Sequence, residues 1–520
     1  MINNRSIIVS IIVSILIAVF FSAFALLFIF FGNTLKNILI FTSIFCLVNY
    51  GLCVGFALYI LNSKYRSQSA KICWLFCVIT LPVVGIIFFL IFGTIPFYIK
   101  NARETNKYQA KLISYEKYDF TNEFLKKHDK FSNFKFNFEN MRSPIYKNNE
   151  VKKIINNNSN ILKQYLKLIA QAKKTICIQT YKIDDGCFFL TIAKALIDKT
   201  KAGVKIILIY DWFGSGSKIN YRVIEKMKNA GIDVVVFNPK GRIPYKSLSN
   251  FRNHQKCLII DNEVCLYGSA NLADEHILVN TTRIMYSDTM YILQGEIVNS
   301  ISINFYSSYL TLTNANKKKI SNTIKMVNLL KPIPASGSLP LQLTTGMPVT
   351  QINNIRSNFL LAIQEARKSI KFIYPYFSPT EDILAALRIA AIKGVQIQIV
   401  VPTKNNESIF TCSLNRHTYG KLISYSNVKI YEHTTFIHTK MLIVDDEFCF
   451  FGSSNLDNRS LKLNFENSLC CIDTKLAKQL NEVFEEKITE SKIITIEFWN
   501  KIKFKNNLAN IFLSIYKPLM

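Results

Sequence analysis

His254 and Lys256 stand two residues apart with Asp261 five further on, and the same trio recurs as His438, Lys440 and Asp445. Each copy closes on a Gly-Ser-x-Asn run, which adds Ser269 and Asn271 to the first and Ser453 and Asn455 to the second. The segments HQKCLIIDNEVCLYGSAN (254–271) and HTKMLIVDDEFCFFGSSN (438–455) are identical at ten of eighteen positions. One HxKxxxxD pattern arises easily by chance; two copies with a common tail do not.

The spacing implies chemistry. On extended backbone, residues i and i+2 project to one face, so the imidazole and ammonium of each copy point together. The apolar runs that follow, CLII and MLIV, read as buried strands that fix that face. The turn at Gly268 or Gly452 then returns a serine and an asparagine suited to a phosphate oxygen. Two such halves facing one another surround one phosphate. Phosphodiester transfer needs a nucleophile on one side, an acid opposite it, and positive charge on the equatorial oxygens. Two histidines, two lysines and two asparagines supply all three, so the reading calls for no metal and no cofactor. The histidines must begin in different protonation states, and each ring needs an orienting partner. Glu466, twenty-eight residues after His438, is a candidate for one imidazole. At the same offset the first half has Thr282, which cannot serve, so Asp288 in YSDTMYI is the candidate there.

The elements that must position these groups repeat as well. In the first half a helical pattern (ILKQYLKLIAQAKK) is followed by a strand (TICIQTYKI), a helix (FFLTIAKALIDKTKAG) and a strand (VKIILIYDWFG). In the second the order is NNIRSNFLLAIQEARKS, IKFIYPYF, ILAALRIAAIKG and VQIQIVVP. Each second helix ends on a glycine before a valine-led strand, as a C-cap leading into a buried strand does. The expected fold is α/β, two pseudo-symmetric halves (150–334 and 349–495) with a mixed sheet flanked by helices. A linker rich in Pro, Gly and Ser (335–348) joins them.

Ahead of the halves, residues 1–98 read as a membrane anchor with three apolar segments, 7–31, 38–61 and 72–95, each long enough for a bilayer crossing of about 20 residues. The first is too long for a signal peptide and lacks a small-residue cleavage site. Arg5 and the Lys64, Arg66, Lys71 loop belong on the cytosolic side, as does the basic remainder of the chain. Three crossings cannot satisfy all of this. Either 72–95, with Pro82 and Gly85 near its middle, is re-entrant or interfacial, or the small loop breaks the rule; the first is preferred. Residues 99–149 form a polar juxtamembrane connector, and 496–520 a basic tail interleaved with aromatics. That tail reads equally as a headgroup-docking segment or a packed terminal helix.

The net charge is +28, from 63 Lys+Arg against 35 Asp+Glu. It favours polyanions without choosing between nucleic acid and anionic lipid. The apolar segments argue against a nuclease, which needs no anchor. Four of the twelve cysteines lie in apolar runs and no paired C-x-x-C occurs, so the thiols read as reduced and cytosolic, with no zinc site.

With these motifs in place, the chain resembles bacterial cardiolipin synthases of the phospholipase D superfamily, from WLFCVITLPVVGIIFFLIFG to the terminal YKPLM. YDWFGS (210–215), FRNHQK (251–256), YPYFSP (374–379) and FIHTKMLIVDDEFCFFGSSNLDNRSLKLNFEN (436–467) carry the likeness. The resemblance implies phospholipase-D-type halves at the cytoplasmic membrane that convert two phosphatidylglycerols to cardiolipin and glycerol. It implies His254 as nucleophile and His438 as acid then base, an order that can be reversed. Lys256, Lys440, Asn271 and Asn455 would hold phosphate, and Asp261 and Asp445 would be structural. Partners would be phosphatidylglycerol and anionic membrane lipids, not nucleic acid. The chain departs from the pattern in having HQK where an arginine is usual, GSAN where a second glycine is common, and YSD for Trp-Arg-Asp. The competing readings are a hydrolytic or headgroup-exchanging phospholipase D and a membrane-bound nuclease.

Overall fold

The structure, a computed structural model, describes residues 35–63, 66, 68–93, 96–113, 144–216, 218–238, 251–277, 285–313, 322, 336–348, 353–403 and 409–501. The chain divides into two compact units, one made chiefly of 1–101 and the other chiefly of 102–240 and 252–514.

In the first unit a helix at Leu35–Leu61 is almost wholly apolar, and within it Lys36–Leu61 has a mean hydropathy of 2.1 and is long enough to cross a membrane. The expected span 7–31 lies outside the described residues. The expected span 72–95 is not one helix. It breaks at Leu81 into Gln68–Thr80 and Pro82–Phe88, continued by one π turn at Phe89–Gly93. Pro82 at the first helical position lacks the N–H that would continue the preceding helix. A Cβ on Gly85 would come within 2.0 Å of the Cys77 carbonyl, so this close approach needs glycine. Trp74, Val78, Ile86 and Phe89 close a small apolar cluster with Cys53 and Ile60.

The second unit carries the two halves. The first half has β1 (Tyr146–Ile155), β2 (Thr175–Thr180), β3 (Lys205–Asp211), β4 (Asp233–Phe237), β5 (Cys257–Ile260), β6 (Val264–Gly268), β7 (Tyr286–Ser287) and β8 (Met290–Gly295). The second has β9 (Leu339–Gly346), β10 (Ser369–Ile373), β11 (Phe377–Ser378), β12 (Gln396–Pro402), β13 (Val428–His433), β14 (Phe436–Ile437), β15 (Met441–Val444), β16 (Phe448–Gly452), β17 (Leu456–Asp457), β18 (Glu466–Ile472) and β19 (Ser491–Ile493). Fifteen of them form one continuous sheet in the order β19-β13-β12-β10-β15-β16-β18-β9-β1-β8-β6-β5-β2-β3-β4. Apart from the edge strand β19, the order reads alike outward from the antiparallel β9–β1 seam, so the halves are related by a pseudo-twofold there. β9 occupies most of 335–348. That segment is therefore not a free linker; it supplies the first strand of the second half. Likewise Pro96–Ile113 is helical within the expected connector, and β1 begins inside its end.

Alternation along each strand sorts its side chains. Leu258 and Ile260 pack under the outer helices of the first half, and Leu442 and Val444 under those of the second. Ile259, Met441 and Ile443 turn the other way into a core shared by both halves. Two helices fill that shared core, Ile297–Leu312 and Thr474–Thr489. The first is buried on nearly all sides, and several of its polar groups find partners inside the core: Asn304 Nδ2 donates to Gln255 Oε1 at 3.0 Å and Ser307 Oγ to the Ile303 carbonyl at 2.6 Å, while Asn304 Oδ1 has no partner.

Candidate active site

Each HxK segment runs beside a strand of the other half. Asn253 bridges Phe465 in parallel, with His254 N–H donating to the Phe465 carbonyl at 2.9 Å and Phe465 N–H to the Arg252 carbonyl at 2.8 Å. By the same geometry β14 pairs in parallel with β7, and His438 N–H donates to the Ser287 carbonyl at 2.7 Å. The carboxylates at the ends of these partner strands therefore meet the opposite histidines. His254 Nδ1 lies 3.0 Å from the Glu466 carboxylate, and His438 Nδ1 lies 2.7 Å from Asp288 Oδ1. Both acids do pair with imidazoles, but across the halves: Asp288, the candidate for the first half, serves the second-half histidine. Glu466 and Asp288 are equivalent by register, each two residues before the strand position (Ser468, Met290) that pairs with the motif glycine. With Nδ1–H given to a carboxylate, each ring keeps its Nε2 for chemistry.

The lysines extend the likeness. Lys256 Nζ donates to the His254 carbonyl at 2.7 Å and Lys440 Nζ to the His438 carbonyl at 2.6 Å. Both side chains are almost fully buried. Burial pushes Lys256 down to about 7, against the pull of Glu466, Asp288 and Asp211, and holds Lys440 well below the ordinary lysine range with Lys256 adding repulsion. Burial likewise lowers His254 to about 4, opposed by Glu466 and reinforced by Lys256 and by Lys440 of the other motif. The crossed hydrogen bonds, His254 to Glu466 and His438 to Asp288, tie each motif to the other half. His438 is held well below the ordinary histidine range by burial and Lys440. Burial alone would raise Asp288, but His276 and His438 outweigh it and keep the carboxyl well below its usual range.

The serines, expected to bind phosphate, instead have their hydroxyls on carboxylates. Ser269 Oγ donates to Asp288 Oδ1 at 2.6 Å, and Ser453 Oγ to Glu466 Oε2 at 2.9 Å. Their hydroxyls hold the carboxylates that hold the rings, because the turn at each motif glycine lays the serine against the next strand. Gly268 and Gly452 adopt φ of 149° and 151°, and a Cβ on Gly268 would meet the Thr289 carbonyl at 2.5 Å. Asn271 Oδ1 accepts the Lys182 N–H at 3.3 Å, while Asn455 Oδ1 is buried with no hydrogen-bond partner. Asp261 and Asp445 face away from the reacting groups. Asp261 accepts the N–H groups of Lys173, Lys174 and Thr175, and Asp445 those of Arg367, Lys368 and Ser369. Each ties the turn after its motif strand to the start of the neighbouring strand.

Several participants are absent from the sequence reading. Ser460 Oγ and Asn464 Nδ2 donate to Glu466 Oε1 at 2.6 and 3.1 Å; Asn158 Oδ1 accepts the Asp288 N–H at 2.9 Å. Buried Asp211, raised to about 6 by burial against Arg252, accepts the N–H of Asn253 at 3.0 Å and so anchors the segment before His254. Carrying the motif comparison five residues past each asparagine would have reached Ser460 and, opposite it, His276. His276, Asp288 and His438 present three ligand-type atoms within 4.8 Å of one another. Their short contacts, 2.6 and 2.7 Å from nitrogen to carboxylate oxygen, are hydrogen-bond lengths. The middle residue Gln255, where HQK departs from the usual pattern, accepts from Gln179 and donates to the Glu466 carbonyl, stitching the halves together.

Residues 165–305 and 359–488 match the family described as cardiolipin synthase, PLD-like domain, and residues 51–93 match the phospholipase D-nuclease N-terminal family. The chain is 28% identical over 491 residues to the major cardiolipin synthase of Bacillus subtilis, covering 89% of this chain and 97% of that protein. It is 28% identical over 482 residues to cardiolipin synthase 1 of Staphylococcus aureus, covering 88% and 94%. Among solved structures it resembles a phosphatidylserine synthase of Haemophilus influenzae, with a TM-score of 0.57, 15% identity, and coverage of 75% of this chain and 100% of that one; this likeness speaks for the fold.

Proposed function

The chain belongs to the cardiolipin synthase family of phospholipase-D-like proteins, and on that premise we propose that it joins two phosphatidylglycerols into cardiolipin and glycerol at a single site. The observation that carries the reading is the crossed pair of carboxylate-held imidazoles, with two buried lysines at the same centre. His254 Nε2 attacks the phosphorus of the first lipid, and the bond from phosphorus to the terminal glycerol oxygen breaks. With the anionic phosphate bound, which favours the charged ring, His438 holds a proton and gives it to that oxygen, and glycerol leaves. The now neutral His438 takes the proton of a terminal glycerol hydroxyl on the second lipid. That oxygen attacks phosphorus, and His254 is released with cardiolipin formed. Lys256, Lys440, Asn271 and Asn455 steady the phosphate oxygens as charge develops. Ser269 and Ser453 belong to the apparatus that orients the rings.

In the membrane, the helix Leu35–Leu61 crosses, and the segment broken at Leu81–Pro82 enters without crossing, which keeps the basic catalytic unit cytoplasmic. Its support is the break itself. The deciding experiment incubates the purified protein with phosphatidylglycerol vesicles, no nucleotide, and a chelator. Cardiolipin and glycerol in equal amounts are expected. Phosphatidic acid alone would establish hydrolysis instead, and loss of turnover with chelator would overturn the metal-free route.

A further inference from the structure

His276 belongs to neither motif. It lies five residues after Asn271, where the second half has Ser460 five residues after Asn455. Both side chains reach the carboxylate of their own half: Ser460 Oγ lies 2.6 Å from Glu466 Oε1, and His276 Nδ1 lies 2.6 Å from Asp288 Oδ2. The imidazole, unlike the hydroxyl, has a second end. Its Nε2 is 3.4 Å from Asn271 Nδ2, and the ring is fully buried, edge-on to Tyr286 at 4.8 Å and to His438 at 5.1 Å. The partners assign the tautomer: Nδ1–H goes to the carboxylate, which leaves Nε2 as the acceptor for an Asn271 N–H. The Asn271 amide is thus held at both ends, by His276 and by the Lys182 N–H on Oδ1, and one N–H remains for a phosphate oxygen.

We propose that His276 is a positioning residue for the transfer reaction, holding at once the carboxylate that orients His438 and the amide of Asn271. This rests on the two-histidine reading above. Asp288 then divides its charge between two imidazoles. Facing His438 are Lys440 from its own segment, Tyr286 and Asp288 from the paired strand, and His276 from the turn after Asn271, with Lys256 and Glu466 beyond Lys440. Lys440 opposes a charged His438, Asp288 favours it, and His276 weakens that pull by sharing the Asp288 carboxylate. Without His276, Asp288 serves His438 alone, and His438 keeps its proton to higher pH.

The test compares the full-length protein with H276F, H276S and N271A. H276F should lower kcat about 10–100-fold, as loss of an orienting partner does, and move the His438 limb of the kcat/KM profile to higher pH. H276S keeps a donor for Asp288, as Ser460 does for Glu466, so the limb should stay near its original place. It releases Asn271, so H276S combined with N271A should lose no more than N271A alone. The chain has only six histidines, so NMR titration of the imidazole signal missing from H438N reads the same shift without any substrate. An unmoved His438 titration in H276F overturns the proposal, even if kcat and the melting temperature fall, since those a purely structural residue would also lower. Absence of cardiolipin from the unaltered protein would instead sink the substrate reading and leave the NMR result to decide this one.

Discussion

At the scale of single residues, the site is a set of buried charges whose partners decide what each can do. Glu466 is the better-supported of the two ring-holding acids, accepting from His254, Ser453, Ser460 and Asn464. An amide in its place turns one acceptor into a donor and removes the charge that steadies an imidazolium. E466Q should therefore cut turnover by about 10⁴-fold, the loss found when an amide replaces a ring-orienting carboxylate and imposes the wrong tautomer, while circular dichroism stays unchanged. Turnover close to the original would mean that His254 needs no carboxylate. A pH effect on binding follows from Lys256, whose folded value of about 7 lies below that of an exposed lysine. The empty site sheds this proton as pH rises through that value, whereas a phosphodiester anion favours the charged form, so binding takes up a proton. KM should rise above that pH, approaching about tenfold per unit for one linked proton. A KM flat across the same range would show that Lys256 is charged in the empty site.

At the scale of elements, the motif aspartates show how local chemistry builds the strands that present the histidines. Asp445 sits at φ 54°, a left-handed conformation that Asp and Asn tolerate better than other side-chain-bearing residues, and its carboxylate collects three backbone N–H groups. D445A should cost about 2 kcal/mol through unpaired donors and backbone strain, and D445N about 1 kcal/mol because it keeps an acceptor and suits the φ. Denaturant unfolding reads both; equal costs would remove the capping role. The helices and strands of both halves were legible because their apolar periodicity is strong, down to the capping glycines Gly203 and Gly394 at φ 84° and 86°. β9 was not legible, since LPLQLTTG carries a proline, which central strands exclude. Pro340 escapes the rule because the β18 ladder stops at Gln342 and the β1 register is irregular between Leu339 and Leu341. The motif groups could be read from their spacing. The crossing of the carboxylates could not, because paired and crossed arrangements use the same residues and differ only in which half packs against which. The serines were misplaced for a related reason: their partners lie nineteen and thirteen residues on, in strands whose register the spacing alone does not set.

At the scale of the whole catalytic unit, one sheet and one shared core run through both halves. The β9–β1 seam joins the sheets, and Ile259, Met441 and Ile443 meet in a common interior with the helices Ile297–Leu312 and Thr474–Thr489. Each fully buried side chain of this kind is worth about 1.5–3 kcal/mol on folding, so neither half can open without exposing the inner face of the other. Calorimetry should record one cooperative transition for the two halves together, with L343D in the seam strand lowering both as a unit. Two resolved transitions, with only one moved by L343D, would show that the halves fold independently.

The crossed pairing also bears on ancestry. Each histidine takes its carboxylate from the opposite half, so a forerunner with one copy of the repeat held the parts of a site but not their arrangement. One copy alone would need a second molecule to lend its acid to the imidazole, as the two halves do for each other here. Within one chain the two copies are free to differ, and the serine at 460 opposite the histidine at 276 is one place where they do.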